Sequence, residues 1–114
     1  MNREETLLQI ELVEHIESHQ APGAAFWHTP NGGLRSKAEA VRFKLMGVKA
    51  GVPDISAYNK TGNMCFVELK ARKGRLSKAQ DDFAQSCAHA RIPYLATKHL
   101  GEAIAFLKQN QIIN

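Results

Sequence analysis

The residues best suited to chemistry are two acids and a lysine near the middle of the chain: Asp54, Glu68 and Lys70. Residues 54–58 and 64–70 read as strands joined by Asn59-Lys60-Thr61-Gly62-Asn63, a hairpin loop. A symmetric loop sets Tyr58 opposite Met64, Ser56 opposite Phe66 and Asp54 opposite Glu68. Opposed residues have Cβ atoms about 4.5–5.5 Å apart. Lys70 lies two residues past Glu68 and shares its face, while Cys65, Val67 and Leu69 point the other way and suit a core. Facing carboxylates repel one another unless a proton or a cation neutralises them. Hard oxygen ligands at such spacing suit Mg²⁺ or Mn²⁺, and a lysine beside them can hold a water or a phosphate oxygen. The expected chemistry is metal-assisted phosphodiester hydrolysis, the ion polarising the phosphate and making hydroxide available near neutral pH. The bland alternative is a salt-bridged surface cluster. A loop one residue shorter would put the two acids on opposite faces.

Other elements must bring this hairpin its partners. Residues 3–18 have no Gly or Pro and read as a helix broken by Pro22-Gly23. At about 100° per residue, Leu8, Leu12, Val13 and Ile16 fall on one arc with Glu5 in its middle, near Gln9. An acid on a core-facing stripe is costly unless paired or bound to a cation, so Glu5 is the third acid expected to point at a metal. The alternative is an acid that only favours the helix dipole at a frayed start. Leu7 and Ile10 lie off the arc and hint at a second contact surface, such as a partner subunit. Residues 24–29 read as a strand, 36–46 as a helix, 77–90 as a helix with Ser77 and Gln80 in capping-box spacing, 92–97 as a strand and 99–109 as a closing helix. The order α-β-α-β-β-α-β-α predicts an α/β fold, a mixed β-sheet flanked by helices, in one domain spanning residues 1–114.

Charge points the same way. The net +4 is uneven: residues 1–34 hold one base against five acids, and residues 35–78 hold eleven bases against three acids. A polyanion is the natural partner of that central block. At 44% hydrophobic and 23% charged residues the chain is expected to be globular. No apolar run approaches the ~20 residues that cross a bilayer, and the N-terminus lacks a secretory pattern. Cys65 and Cys87, in no metal spacing, read as small core residues in a reducing cytoplasm. The glycines match no nucleotide-binding loop, so no nucleotide cofactor is expected.

Gly51-Val52-Pro53-Asp54 followed by Glu68-Leu69-Lys70 is similar to the PD-(D/E)xK nuclease signature. With Glu5-Thr6-Leu7-Leu8-Gln9 before it and Gly74-Arg75-Leu76-Ser77-Lys78-Ala79-Gln80 after it, nearly the whole chain resembles a VRR-NUC domain, most of all the short standalone versions of phages and prophages. The resemblance implies a restriction-endonuclease-like core and Mg²⁺- or Mn²⁺-dependent DNA cleavage in the cytoplasm of a bacterial host. It implies Glu5, Asp54, Glu68 and the backbone carbonyl of Leu69 as metal ligands, Lys70 orienting or activating water, and Gln80 supporting the site. It also implies a homodimer acting on branched DNA such as four-way (Holliday) junctions. Capping its own helix is an equally good reading of Gln80. His28, Asn31, Arg35, Lys49, Arg72, Lys73, Arg75 and Lys78 are the candidate DNA contacts, against turn chemistry, a structural histidine and ordinary solvated cations. The competing functions are a non-catalytic nucleic-acid-binding module and a nuclease acting on flaps, ends or single strands.

Overall fold

A computed structural model describes residues 1–30 and 35–114. The elements follow the expected order: α1 (Arg3–His19), β1 (Ala25–His28), α2 (Lys37–Leu45), β2 (Ile55–Tyr58), β3 (Met64–Leu69), α3 (Lys78–Ala90), β4 (Tyr94–Thr97) and α4 (Leu100–Gln109). The four strands form one sheet in the order β1-β2-β3-β4. The β1–β2 and β2–β3 pairs are antiparallel, and β3–β4 is parallel with α3 as its crossover, the connection a parallel pair requires. The sheet is therefore mixed, as the element order predicts.

The hairpin register is the one a symmetric loop dictates: Ile55 opposes Val67, Ser56 opposes Phe66 and Tyr58 opposes Met64. Asn59 locks the loop, its Oδ1 accepting from the backbone N–H groups of Thr61 and Asn63 at 3.0 and 3.1 Å. One boundary differs at each end. The ladder begins after Asp54 and stops before Lys70, so the chemistry-bearing residues flank the strands and do not lie within them. Lys70 instead donates its backbone N–H to the Thr97 carbonyl at 2.9 Å.

The core sits on one face of the sheet. Leu12 and Ile16 of α1, Ala103 and Leu107 of α4, and Ile55, Ala57, Cys65, Val67 and Leu69 of the hairpin are all buried there. Ile112 and Ile113, past the last helix, complete it. Gln111 turns the backbone through a positive φ of 63°, and Ile113 then bridges back to Gln20. The sequence reading ends its last helix at 109 and assigns this tail no role. Cys65 and Cys87 are free and buried, as expected for core residues; burial pushes the Cys65 thiol up to about 11.

On the other face α3 packs against β4, and Phe83 meets Phe66 edge-on at 5.1 Å between centroids. Helix α2 stands apart from the buried core that α1 and α4 form with the sheet. It buries no residue, and Val41, Leu45 and Met46 are exposed. Among the described residues no helix is long and apolar enough to cross a membrane.

Candidate active site

The site lies where the ends of β2 and β3 meet the start of α1. Asp54, just ahead of β2, is buried and pinned from several sides. Its carbonyl accepts from the Thr29 N–H at 3.1 Å and from the His28 ring Nδ1 at 2.7 Å. Its carboxylate Oδ2 accepts from the Leu69 N–H at 2.7 Å. The symmetric register carries Glu68 onto the same face, where it is 3% exposed.

Burial, first, then the hydrogen bond and the charge of Asp54, raise the Glu68 carboxyl from 4.5 to about 9; Glu5 adds to the rise and Lys70 opposes it. Burial and the neighbouring Asp54 thus favour the protonated form of Glu68. Its Oε1 is buried with no hydrogen-bond partner among the described residues. An orphaned oxygen on a protonated acid beside a second carboxylate is a costly arrangement, and a cation displacing the proton would relieve it.

The start of α1 closes the site from above. Asn2 caps the helix by accepting the Glu5 N–H at 2.9 Å. The half-buried Glu5 accepts the Ala71 N–H at 3.1 Å, and Glu4 accepts the Arg72 N–H at 3.0 Å. Glu5 thus faces inward as its arc predicts, and its carboxylate reaches the turn that follows Glu68 and Lys70. Glu4, outside that arc, also reaches this turn. Its role was not legible because it depends on where residues 70–72 turn in space. Among the described residues no three His, Cys, Asp or Glu side chains already stand close enough to form a metal cage, so Asp54 and Glu68 form a pair with Glu5 beside it. Leu69 buries its side chain in the core and leaves its backbone next to Asp54.

Lys70 extends toward α3, its Nζ donating to Gln80 Oε1 at 3.3 Å. That same oxygen accepts the Ser77 N–H at 2.8 Å, and the Ser77 hydroxyl accepts the Gln80 N–H at 3.1 Å. Gln80 therefore caps its helix and holds Lys70 at once, so the two readings are compatible. Gly51 lets its loop pack close against the start of α3. It has a φ of +83°, and a Cβ there would run into the backbone of Ala79 and Gln80.

The basic residues divide by position. Arg35 and Lys49, with Lys44 and Gln80, line a cleft of about 1150 Å³ between α2 and α3. The Arg35 guanidinium sits 4.7 Å above the Phe43 ring centroid. Arg72, Lys73 and Arg75 are exposed on the segment after the site. The Arg72 carbonyl accepts from Lys98 Nζ at 2.6 Å. Lys78 pairs with Asp82 at 3.1 Å on the solvated face of α3. His28 is exposed, and its Nδ1–H serves the Asp54 carbonyl, the structural role weighed against a DNA contact. Asn31 lies outside the described residues.

Two buried polar groups were not singled out by the sequence reading. The Tyr94 hydroxyl is buried without a partner among the described residues, and burial followed by the Glu68 charge pushes it well above its ordinary value. Its position follows from the parallel pairing of Tyr94 with Phe66, which no local pattern announces. Gln9, one turn after Glu5, buries an amide whose nitrogen and oxygen both lack partners; a polar residue on an apolar arc was the available signal.

Two solved structures share the architecture. One, named "VRR_NUC domain protein", superposes with a TM-score of 0.75 over 96% of this chain and 89% of its own, at 21% identity. A second, named "VRR_NUC domain", gives 0.62 over 94% and 97%, at 16% identity. At these identities the likeness shows the fold. A comparison with curated proteins gives no match. The VRR-NUC domain model matches residues 3–98, from the first helix to just past the last strand. That stretch contains every group just described around Asp54 and Glu68, and the chain belongs to the VRR-NUC family of nuclease domains.

Proposed function

We propose that this nuclease domain is a metal-dependent endodeoxyribonuclease of the PD-(D/E)xK type, that it cuts branched DNA such as four-way junctions, and that it works as a homodimer. One observation carries the chemistry: two acids, Asp54 and Glu68, are buried on one face, and a Glu68 oxygen there has no hydrogen-bond partner among the described residues. The donor set fits Mg²⁺ or Mn²⁺. Asp54 and Glu68 would hold the ion, with Glu5 and the Leu69 carbonyl completing an all-oxygen shell. When bound, the ion supplies Lewis-acid polarisation of the scissile phosphate and charge neutralisation.

The protein's own residues do the rest. Asp54, fixed through its carbonyl and its carboxylate, keeps the pair in one geometry. Lys70, tethered to Gln80, orients a water or a phosphate oxygen beside the acids. Arg35, Lys44 and Lys49 hold the phosphate backbone in the α2–α3 cleft. Arg72, Lys73 and Arg75 flank the other side, with Lys78, His28 and Asn31 as further contacts.

The homodimer reading rests on exposed apolar residues and on substrate symmetry. Leu7, Ile10, Val41 and Leu45 are 51%, 49%, 59% and 83% exposed. A twofold dimer would also place two sites on the two strands of a junction. Sedimentation giving a monomer both free and on junction DNA would refute the dimer.

The test of function is a panel of linear, flap and four-way DNA substrates with and without Mg²⁺ or Mn²⁺. Cleavage is expected only with metal and fastest on the junction. Asp54→Asn and Lys70→Ala should each lose at least about a hundredfold in rate. Binding without cleavage in every condition would favour the non-catalytic module, and cleavage at parental rate by both variants would overturn the mechanism.

A further inference from the structure

The sheet face that carries the acid pair also carries two partly exposed aromatic side chains. Trp27 of β1 pairs with Ser56 of β2, and Ala25 pairs with Tyr58. Ser56 and Tyr58 lie two and four residues beyond Asp54, so all of these share its face. Asp54 and Tyr58 are about 13 Å apart along the strand, and Trp27 lies beside that stretch. On this face α3 reaches β4 and, through Phe83, Phe66 of β3. Trp27 is 44% exposed and Tyr58 41% exposed. Their rings meet edge-on at 6.3 Å and 60°, an arrangement that leaves ring face open to solvent. Tryptophan is highly buried on average, so an exposed one on the site face calls for an occupant.

The surroundings favour a nucleic-acid strand. Residues 24–30 and 55–67 contain no acid, and their one lysine, Lys60, sits at the tip of the hairpin. Nothing in these segments repels phosphates running from the acid pair toward the aromatic rings. A paired base within a duplex keeps its faces stacked on its neighbours and has none free for an aromatic side chain. An unpaired base can, because every base has a π-face. We infer that Trp27 and Tyr58 form a stacking platform for an unpaired nucleobase, a few nucleotides from the phosphate held at Asp54 and Glu68. The inference rests on the DNA-nuclease reading of the site and sharpens its substrate class: the preferred strand carries an unpaired base near the cut, as at a branch point.

Trp27 is the only tryptophan in the chain, so its fluorescence reports on this spot alone. The full chain is titrated at low salt, with Ca²⁺ as divalent ion, against a splayed duplex with single-stranded arms and against a blunt duplex of the same paired sequence. Anisotropy of labelled DNA follows binding in parallel. The splayed DNA is expected to quench Trp27 over the same range in which anisotropy rises, and the blunt duplex is not. Trp27→Ala should weaken splayed binding roughly 5- to 100-fold, the span of base–aromatic stacking, and blunt binding less than twofold. Trp27→Phe, which keeps a ring, should recover most of the loss. Splayed DNA that binds without changing Trp27 fluorescence overturns the platform and leaves the nuclease reading standing, as does parental binding by Trp27→Ala. Fluorescence that shifts with protein concentration in the absence of DNA overturns it in favour of a second copy of the chain on this face. No binding of either DNA would remove the nuclease reading and the platform together.

Discussion

Replacing Glu68 with glutamine is expected to stabilise the metal-free protein above neutral pH while abolishing its ion binding. The folded-state carboxyl holds its proton up to about pH 9, whereas an ordinary carboxyl has lost it above 4.5. Between those values the native state binds one more proton than the unfolded chain, so stability is greatest below the lower value and falls as pH rises toward the upper one. Each pH unit in that window costs about 1.4 kcal/mol, a ceiling of about 6 kcal/mol across it. Local relaxation and water entry around Lys70 and Glu5 reduce the cost to about 2–3 kcal/mol. For a domain of this size that is a fall of roughly 10 °C in Tm between pH 5 and pH 9. Glutamine has the shape of the protonated acid, can donate to Asp54, and does not titrate. Thermal melts followed by circular dichroism in EDTA, from pH 5 to pH 9, should show the parent losing stability and Glu68→Gln holding level, the curves diverging upward. Excess Mn²⁺ should then rescue the parent and not the variant, by about 3 kcal/mol at a hundredfold over Kd. Parallel pH curves for the two proteins would refute the account of the acid pair as a protonated, cation-seeking site.

Three further outcomes follow from the same geometry. Mn²⁺ binding to the parent at pH 7 should release close to one proton per ion, because Glu68 must lose the one it holds; calorimetry in buffers of differing ionisation enthalpy measures this, and no release would contradict it. Gln80→Ala removes both the capping box and the Lys70 tether, so it should cost about 1 kcal/mol in melts and slow cleavage about tenfold or more. A loss of stability with unchanged cleavage would reduce Gln80 to a cap. Gly51→Ala forces a Cβ into the backbone of Ala79 and Gln80 at a positive φ, and should destabilise by more than about 1 kcal/mol while lowering cleavage, read by melts and by the junction assay.

Much of this protein is local and therefore legible in its residues. Element order, the symmetric loop 59–63 and the placing of Asp54 and Glu68 on one face follow from alternation and turn chemistry, because a hairpin fixes its own register once the loop length is set. The inward turn of Glu5 follows from helical periodicity, which is equally local. What only the tertiary structure decides concerns groups brought together from distant parts of the chain. Glu4 and Glu5 clamp the backbone of residues 71–72, Lys70 finds Gln80, and Tyr94 buries its hydroxyl near Glu68 through a parallel pairing. Ile112 and Ile113 enter the core from a tail with no pattern of its own. The backbone around the site is likewise a tertiary matter: Asp54 and Lys70, just beyond the strands, are held by His28, Thr29 and Thr97. The residue types and spacing thus named the acids and the lysine. Only packing decided that the Glu68 carboxyl is pushed up, since burial depends on what the rest of the chain places around it.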